Sequence, residues 1–139
     1  MTILHATLLG FALWTLGLLM FTVGVHWWSR ILTGKSSIHE FPADAPNGPD
    51  WYKRATRAHL NCIENLPVFA VIVFIASAAG MRGTPLDALS VAILCARVVQ
   101  TTTHVAFVQT ARAVSVRFTF FSVQLVAMLA MIGIVLARW

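Results

Sequence analysis

Residues 51–69 read WYKRATRAHLNCIENLPVF: a basic ladder, Lys53, Arg54 and Arg57, that runs into an apolar stretch and takes Asn61, Glu64 and Asn65 with it. The apolar character continues to Ala79. A helix crossing a ~30 Å hydrocarbon core needs roughly 20 residues, and this run reaches that length only if its polar beginning is counted. The ladder therefore belongs to a membrane helix, and its charges need partners rather than solvent.

The rest of the chain agrees. Of 139 residues, 58% are hydrophobic and only 11% charged, with a mean hydropathy of +0.78, which is lipid-soluble rather than globular composition. Apolar runs cover residues 3–28, 66–79, 86–107 and 118–137, and no segment alternates with period two. Backbone groups in lipid are satisfied only by helices or closed barrels. The expectation is an all-α membrane protein, a single four-helix domain with spans near 3–28, 51–79, 85–108 and 115–138. The first run lacks a basic start and continues into Trp27, Trp28 and Arg30, so it reads as a retained span rather than a signal peptide.

Charge sets the topology. Loops one and three with their flanks hold Arg30, Lys35, Lys53, Arg54, Arg57, Arg112 and Arg117, whereas the opposite face holds Arg82 and Arg138. By the positive-inside rule loops one and three are cytoplasmic and both termini lie on the other side. Topology thus accounts for the net charge of +5, and no nucleic-acid partner is expected. Cys62 and Cys95 sit on different helices without metal or redox spacing and read as small buried residues. Neither His59 nor His104 has clustered partners for a metal.

The connections carry local signals. Gly34, Pro42, Pro46, Gly48 and Pro49 break loop one, with Asp50 as the N-cap of the second helix. Loop two offers Thr84 as N-cap, Pro85 at the first helical position and Asp87 in the first turn. Gly10, Gly17 and Gly24 share a face of the first helix and invite close approach of a neighbour.

The polar residues form stripes. At about 100° per residue, Lys53, Arg57, Asn61 and Glu64 cluster on one face, with Arg54 beside them. Glu64 lies about one turn inside the hydrocarbon, and Pro67 frees the carbonyl of Ile63 nearby. On the third helix Arg97, Gln100, Thr101 and His104 share a face at i, i+3, i+4 and i+7, with Arg97 near mid-membrane. Glu64 is the one acid available to it, so a Glu64–Arg97 pair is expected, either as part of a site or as a device fixing helix register. The fourth helix adds Arg117, Phe121 and Gln124. Together these residues suit a small anionic ligand that also carries an amine.

The run RAHLNCIENLPVF, Arg57 to Phe69, resembles the family of membrane-associated proteins in eicosanoid and glutathione metabolism (MAPEG), which includes microsomal glutathione transferases and prostaglandin E synthase. The R-A-H-x-N-x-x-E-N-x-P pattern is specific, and length and span number fit a short, bacterial-type member along nearly the whole chain. The resemblance implies a homotrimer that binds glutathione as co-substrate between subunits, near the cytoplasmic side. Arg57, Asn61 and Glu64 match the helix-two motif that binds glutathione or orders charge around it, and Arg97 matches the helix-three arginine of that network. Arg117 looks like the arginine near the glutathione sulfur, where a cation raises the thiolate fraction. Lys53, Arg54, Gln100, His104 and Phe121 complete the binding set. Two departures stand out: Phe121 and His104 occupy positions where family enzymes often carry tyrosine.

The reading that follows is a glutathione-dependent transferase or peroxidase acting on hydrophobic electrophiles dissolved in the bilayer. The alternatives are a non-catalytic lipid-binding or accessory protein of the same family, and a small transporter or proton relay built on Glu64, Arg97 and His104.

Overall fold

The computed structural model describes residues 1–41 and 46–138, the Thr84 side chain excepted. Pro42, one of the expected loop breakers, lies outside the described residues. Four helices are each long and apolar enough to cross a membrane: α1 (Ile3–Leu32), α2 (Asp50–Ala78), α3 (Thr84–Ala106) and α4 (Ala111–Leu136). No strand occurs among the described residues. At about 1.5 Å per residue even the shortest spans the hydrocarbon core.

α1 is not uniform. It is α-helical over Ile3–Leu18, π-helical over Leu19–Gly24 and α-helical again over Val25–Leu32. Gly24 permits the wide turn, because a Cβ there would stand 3.0 Å from the Leu19 carbonyl oxygen. The helix runs four residues past its expected end at residue 28 and closes at Gly34, whose φ of +67° favours glycine. There Lys35 N donates to Arg30 O and Gly34 N to Ile31 O, the paired bonds of a Schellman cap. Gly80 closes α2 in the same way, with Met81 N donating to Ala76 O and Gly80 N to Ser77 O.

The other boundaries shift slightly. Pro49, not Asp50, is the N-cap of α2. Gly83, at φ +133°, rather than Thr84, caps α3, with Pro85 in the first turn. α4 starts at Ala111, four residues before the expected 115, because the Thr110 hydroxyl accepts from Ala113 N at 3.2 Å.

α3 packs most extensively on α4, and α1 covers α3 and α2. Leu4, Phe11, Phe69, Val73, Ile93 and Met131 fill the centre, with the Phe11 and Phe69 rings 5.9 Å apart. Lipid tails are as apolar as this core, so packing and interhelical hydrogen bonds supply the specificity, at roughly 0.6 kcal/mol for an average bond. Trp14 Nε1 donates to Thr101 Oγ1 at 2.7 Å, Gln124 Nε2 to Gln100 Oε1 at 2.9 Å, and Trp27 Nε1 to Tyr52 Oη at 2.7 Å. Of the glycine face on α1, only Gly10 meets a neighbouring helix, 3.0 Å from Leu94 Cδ2. Gly17 faces open space.

Candidate functional site

A cleft of about 290 Å3 opens between α2, α3 and α4, at the end that carries loops one and three. It is lined by Asn61 from α2, Gln100 and His104 from α3, Gln109 from loop three, and Val114, Arg117, Phe118 and Phe121 from α4. Five of these, Asn61, Gln100, His104, Arg117 and Phe121, are expected from the sequence. Gln109 is not, since it lies in a four-residue connection where no helical period places it.

Arg117 dominates the cleft. It is 8% exposed, its Nε donates to the Ala113 carbonyl at 3.1 Å, and its Nη1 lies 3.4 Å from His104 Nδ1. Nη2 has no partner among the described residues. A buried donor left over at the wall of an open cleft is a place for a ligand acceptor, since leaving it bare costs about 1–3 kcal/mol and more when charged. Behind the cleft, Gln124 is buried and donates to both Gln100 Oε1 and Phe120 O at 2.9 Å, which fixes the Gln100 amide. The amide of Asn65 reaches back to Asn61 O at 2.8 Å.

The basic ladder sits elsewhere. Lys53, Arg57 and Glu64 are exposed on the outer side of the chain. Lys53 pairs with Asp50 at 3.9 Å, a surface contact of little energetic weight. Arg54 Nε points at the Val105 carbonyl at 3.5 Å, a cation at the carbonyl end of α3.

The expected Glu64–Arg97 ion pair is not formed within the chain. Lys53–Asp50 is the only ion pair among the described residues. Gln100 and Thr101 lie with Arg97 on the buried side of α3, but Arg97 itself is wholly buried and none of its three guanidinium nitrogens has a partner among the described residues. Its guanidinium carbon stands 5.3 Å from the centre of the Phe11 ring, with Cys62 alongside. A desolvated cation–π contact is worth about 2 kcal/mol, well short of the several kcal/mol needed to bury a charge. Periodicity gave each residue its side of a helix but not the rotation of one helix against the next, and here α2 turns Glu64 outward.

Cys62 is buried as expected, whereas Cys95 is exposed on the outer face of α3. Among the described residues no group of three or more His, Cys, Asp or Glu is arranged to hold a metal ion.

A family model described as the MAPEG family matches residues 4–137. Comparison with curated proteins gives no match, and comparison with solved structures gives none.

Proposed function

Because the chain belongs to the MAPEG family, we propose that it is a glutathione-dependent transferase or peroxidase that works on hydrophobic electrophiles within the bilayer. The observation that carries this reading is the buried Arg117 guanidinium, with one nitrogen unpartnered, at the wall of an open polar cleft. A cation held there raises the thiolate fraction of a thiol placed beside it, and the thiolate is the nucleophile. Its sulfur forms the new bond to carbon while the leaving group departs with its electron pair.

In this reading Asn61, Gln100 and His104 hold the tripeptide inside the cleft, and Lys53, Arg54, Arg57 and Glu64 neutralise its termini. Lys53, Arg57 and Glu64 are on the outer face of α2, and a carboxylate on a lipid-facing surface is costly. That face suits an interface between copies, and, as family membership implies, the assembly is a homotrimer with glutathione between subunits. The excess of Lys and Arg in loops one and three puts this end in the cytoplasm and both termini opposite. The second substrate enters from lipid.

Conjugation of glutathione to an aryl halide by the purified protein tests the assignment. Arg117→Ala should reduce kcat/KM about a hundredfold, as loss of one charge-stabilising donor does. Arg112 is exposed at the start of the same helix. If Arg112→Ala abolishes conjugation and Arg117→Ala does not, the sulfur lies at the other cation and the role given to Arg117 is wrong.

A second reading, a non-catalytic lipid-binding or accessory protein, is favoured by Phe121, which brings no hydroxyl to the cleft. An apolar groove of about 590 Å3 between α2 and α4, lined by Val68, Val71, Ile75 and Ile132 among others, supports it too. Glutathione binding without the ultraviolet absorbance of a thiolate would decide for this reading.

A further inference from the structure

A second cavity system stands apart from the Arg117 cleft, where the end of α1 meets loop one. Its polar half, about 500 Å3, is lined by Arg30, Ser36, His39, Glu40, Asn47 and Gly48. Its apolar half, about 350 Å3, is lined by Trp27, Trp28, Ile31 and Ile38. Phe41 lines both, so the two halves adjoin at that ring.

The polar half holds a cation and an anion that do not neutralise each other. Arg30 Nε donates to Ser36 Oγ at 2.9 Å, which steadies the guanidinium, and no ion pair within 4.0 Å joins it to Glu40. Opposite charges held apart across one cavity complement a ligand carrying both signs at a matching separation.

Behind the cavity, beneath Gly48, lies an unused nitrogen. His26 is 7% exposed, and its Nε2 has no partner among the described residues. The ring is fixed by stacking on Tyr52, with centroids 4.1 Å apart, and by edge contacts to Phe41 and Trp51. Its Nε2 faces Gly48, where an added Cβ would stand 3.2 Å from it. Glycine at 48, with φ +152°, lets the loop backbone close over the His26 and Tyr52 rings.

The apolar half offers an exposed surface suited to acyl chains. Trp28 and Ile38 are 62% and 79% exposed, and tryptophan pairs of this kind sit where hydrocarbon meets headgroups. The polar half then lies at headgroup level.

We propose that this is a site for one phospholipid bearing an ethanolamine headgroup. The phosphate sits against Arg30, with Ser36 as a further polar contact, the primary ammonium against Glu40, and an acyl chain along Trp28, Ile31 and Ile38. Phosphatidylglycerol has no cation for Glu40. Phosphatidylcholine brings a methylated one that cannot donate a hydrogen bond.

Native mass spectrometry of the whole protein, released from nanodiscs of equimolar phosphatidylethanolamine, phosphatidylglycerol and phosphatidylcholine, tests this. Phosphatidylethanolamine should be retained at least about fivefold over each of the others. Glu40→Gln should abolish its preference over phosphatidylglycerol, and Arg30→Ala should reduce retention of both. Equal retention of the three lipids, or a preference untouched by both variants, overturns the proposal. So does displacement of the retained lipid by glycerophosphoethanolamine, which has the same headgroup without acyl chains. Both residues lie at the loop end, away from the packed core, and an unchanged thermal midpoint identifies a folded variant.

Discussion

Arg117 Nη1 lies 3.4 Å from His104 Nδ1, joining α3 to α4 at the mouth of the polar cleft. A neutral imidazole protonated on Nε2 accepts from the guanidinium through Nδ1 and holds it in place. His104→Ala therefore frees the arginine. The dissociation constant for glutathione should rise about ten- to a hundredfold, the worth of one hydrogen bond to a charged group, as read by calorimetry. An unchanged constant would mean that Arg117 is held by its own helix alone.

Phe121 offers a gain-of-function test. It lines the cleft beside Arg117 and contributes no donor. Phe121→Tyr places a hydroxyl there, and a donor at a developing or resident anion is worth tenfold or more in rate. Conjugation by this variant should rise by about tenfold, with a stronger thiolate band. A slower enzyme with the same band would place the sulfur out of reach of position 121.

The Gln124–Gln100 bond is the internal support of the cleft. Gln124→Leu removes it and leaves Gln100 free to turn. The thermal midpoint in detergent should fall by an amount corresponding to about 1 kcal/mol, and glutathione should bind more weakly. If stability falls while affinity holds, Gln100 does not touch the ligand.

Arg97 is the least compensated group in the bundle, and Cys62 is its neighbour. Cys62→Asp puts a carboxylate where the thiol now stands. A charged hydrogen-bonded pair should raise stability by about 1–3 kcal/mol, seen as a higher thermal midpoint. A lower midpoint would show that burying a second charged group beside Arg97 costs more than the pair returns.

The sequence exposes some of this plainly and some not at all. Three long apolar runs and a fourth completed by its polar beginning announce four spans, and the i, i+3, i+4, i+7 spacing from Arg97 to His104 predicts that Gln100 and His104 approach one cleft. Arg117 and Phe121 follow from the same period, one turn apart on α4. The partner of Arg97 is not legible, because it depends on how α2 is rotated against α3. Gln109 is invisible for a different reason: a short connection has no repeat to place it. The second cavity escapes because it joins residues from the end of α1 to a loop full of breakers, where no spacing rule applies. Gly48 reads there as one more breaker, and only the position of His26 reveals what its missing side chain allows.

The π-helical stretch Leu19–Gly24 makes α1 two screws with different phases on one axis. A π turn takes in an extra residue, and each residue of an α-helix is worth about 100° of rotation. The half that carries Phe11 and Trp14 towards α2 and α3 is thus indexed independently of the half that carries His26 to Tyr52. Deleting one residue between Leu19 and Gly24 would leave the first half seated and swing the aromatic end through more than a quarter turn. Inheritance of this single extra residue decides whether the end of α1 and loop one meet at all.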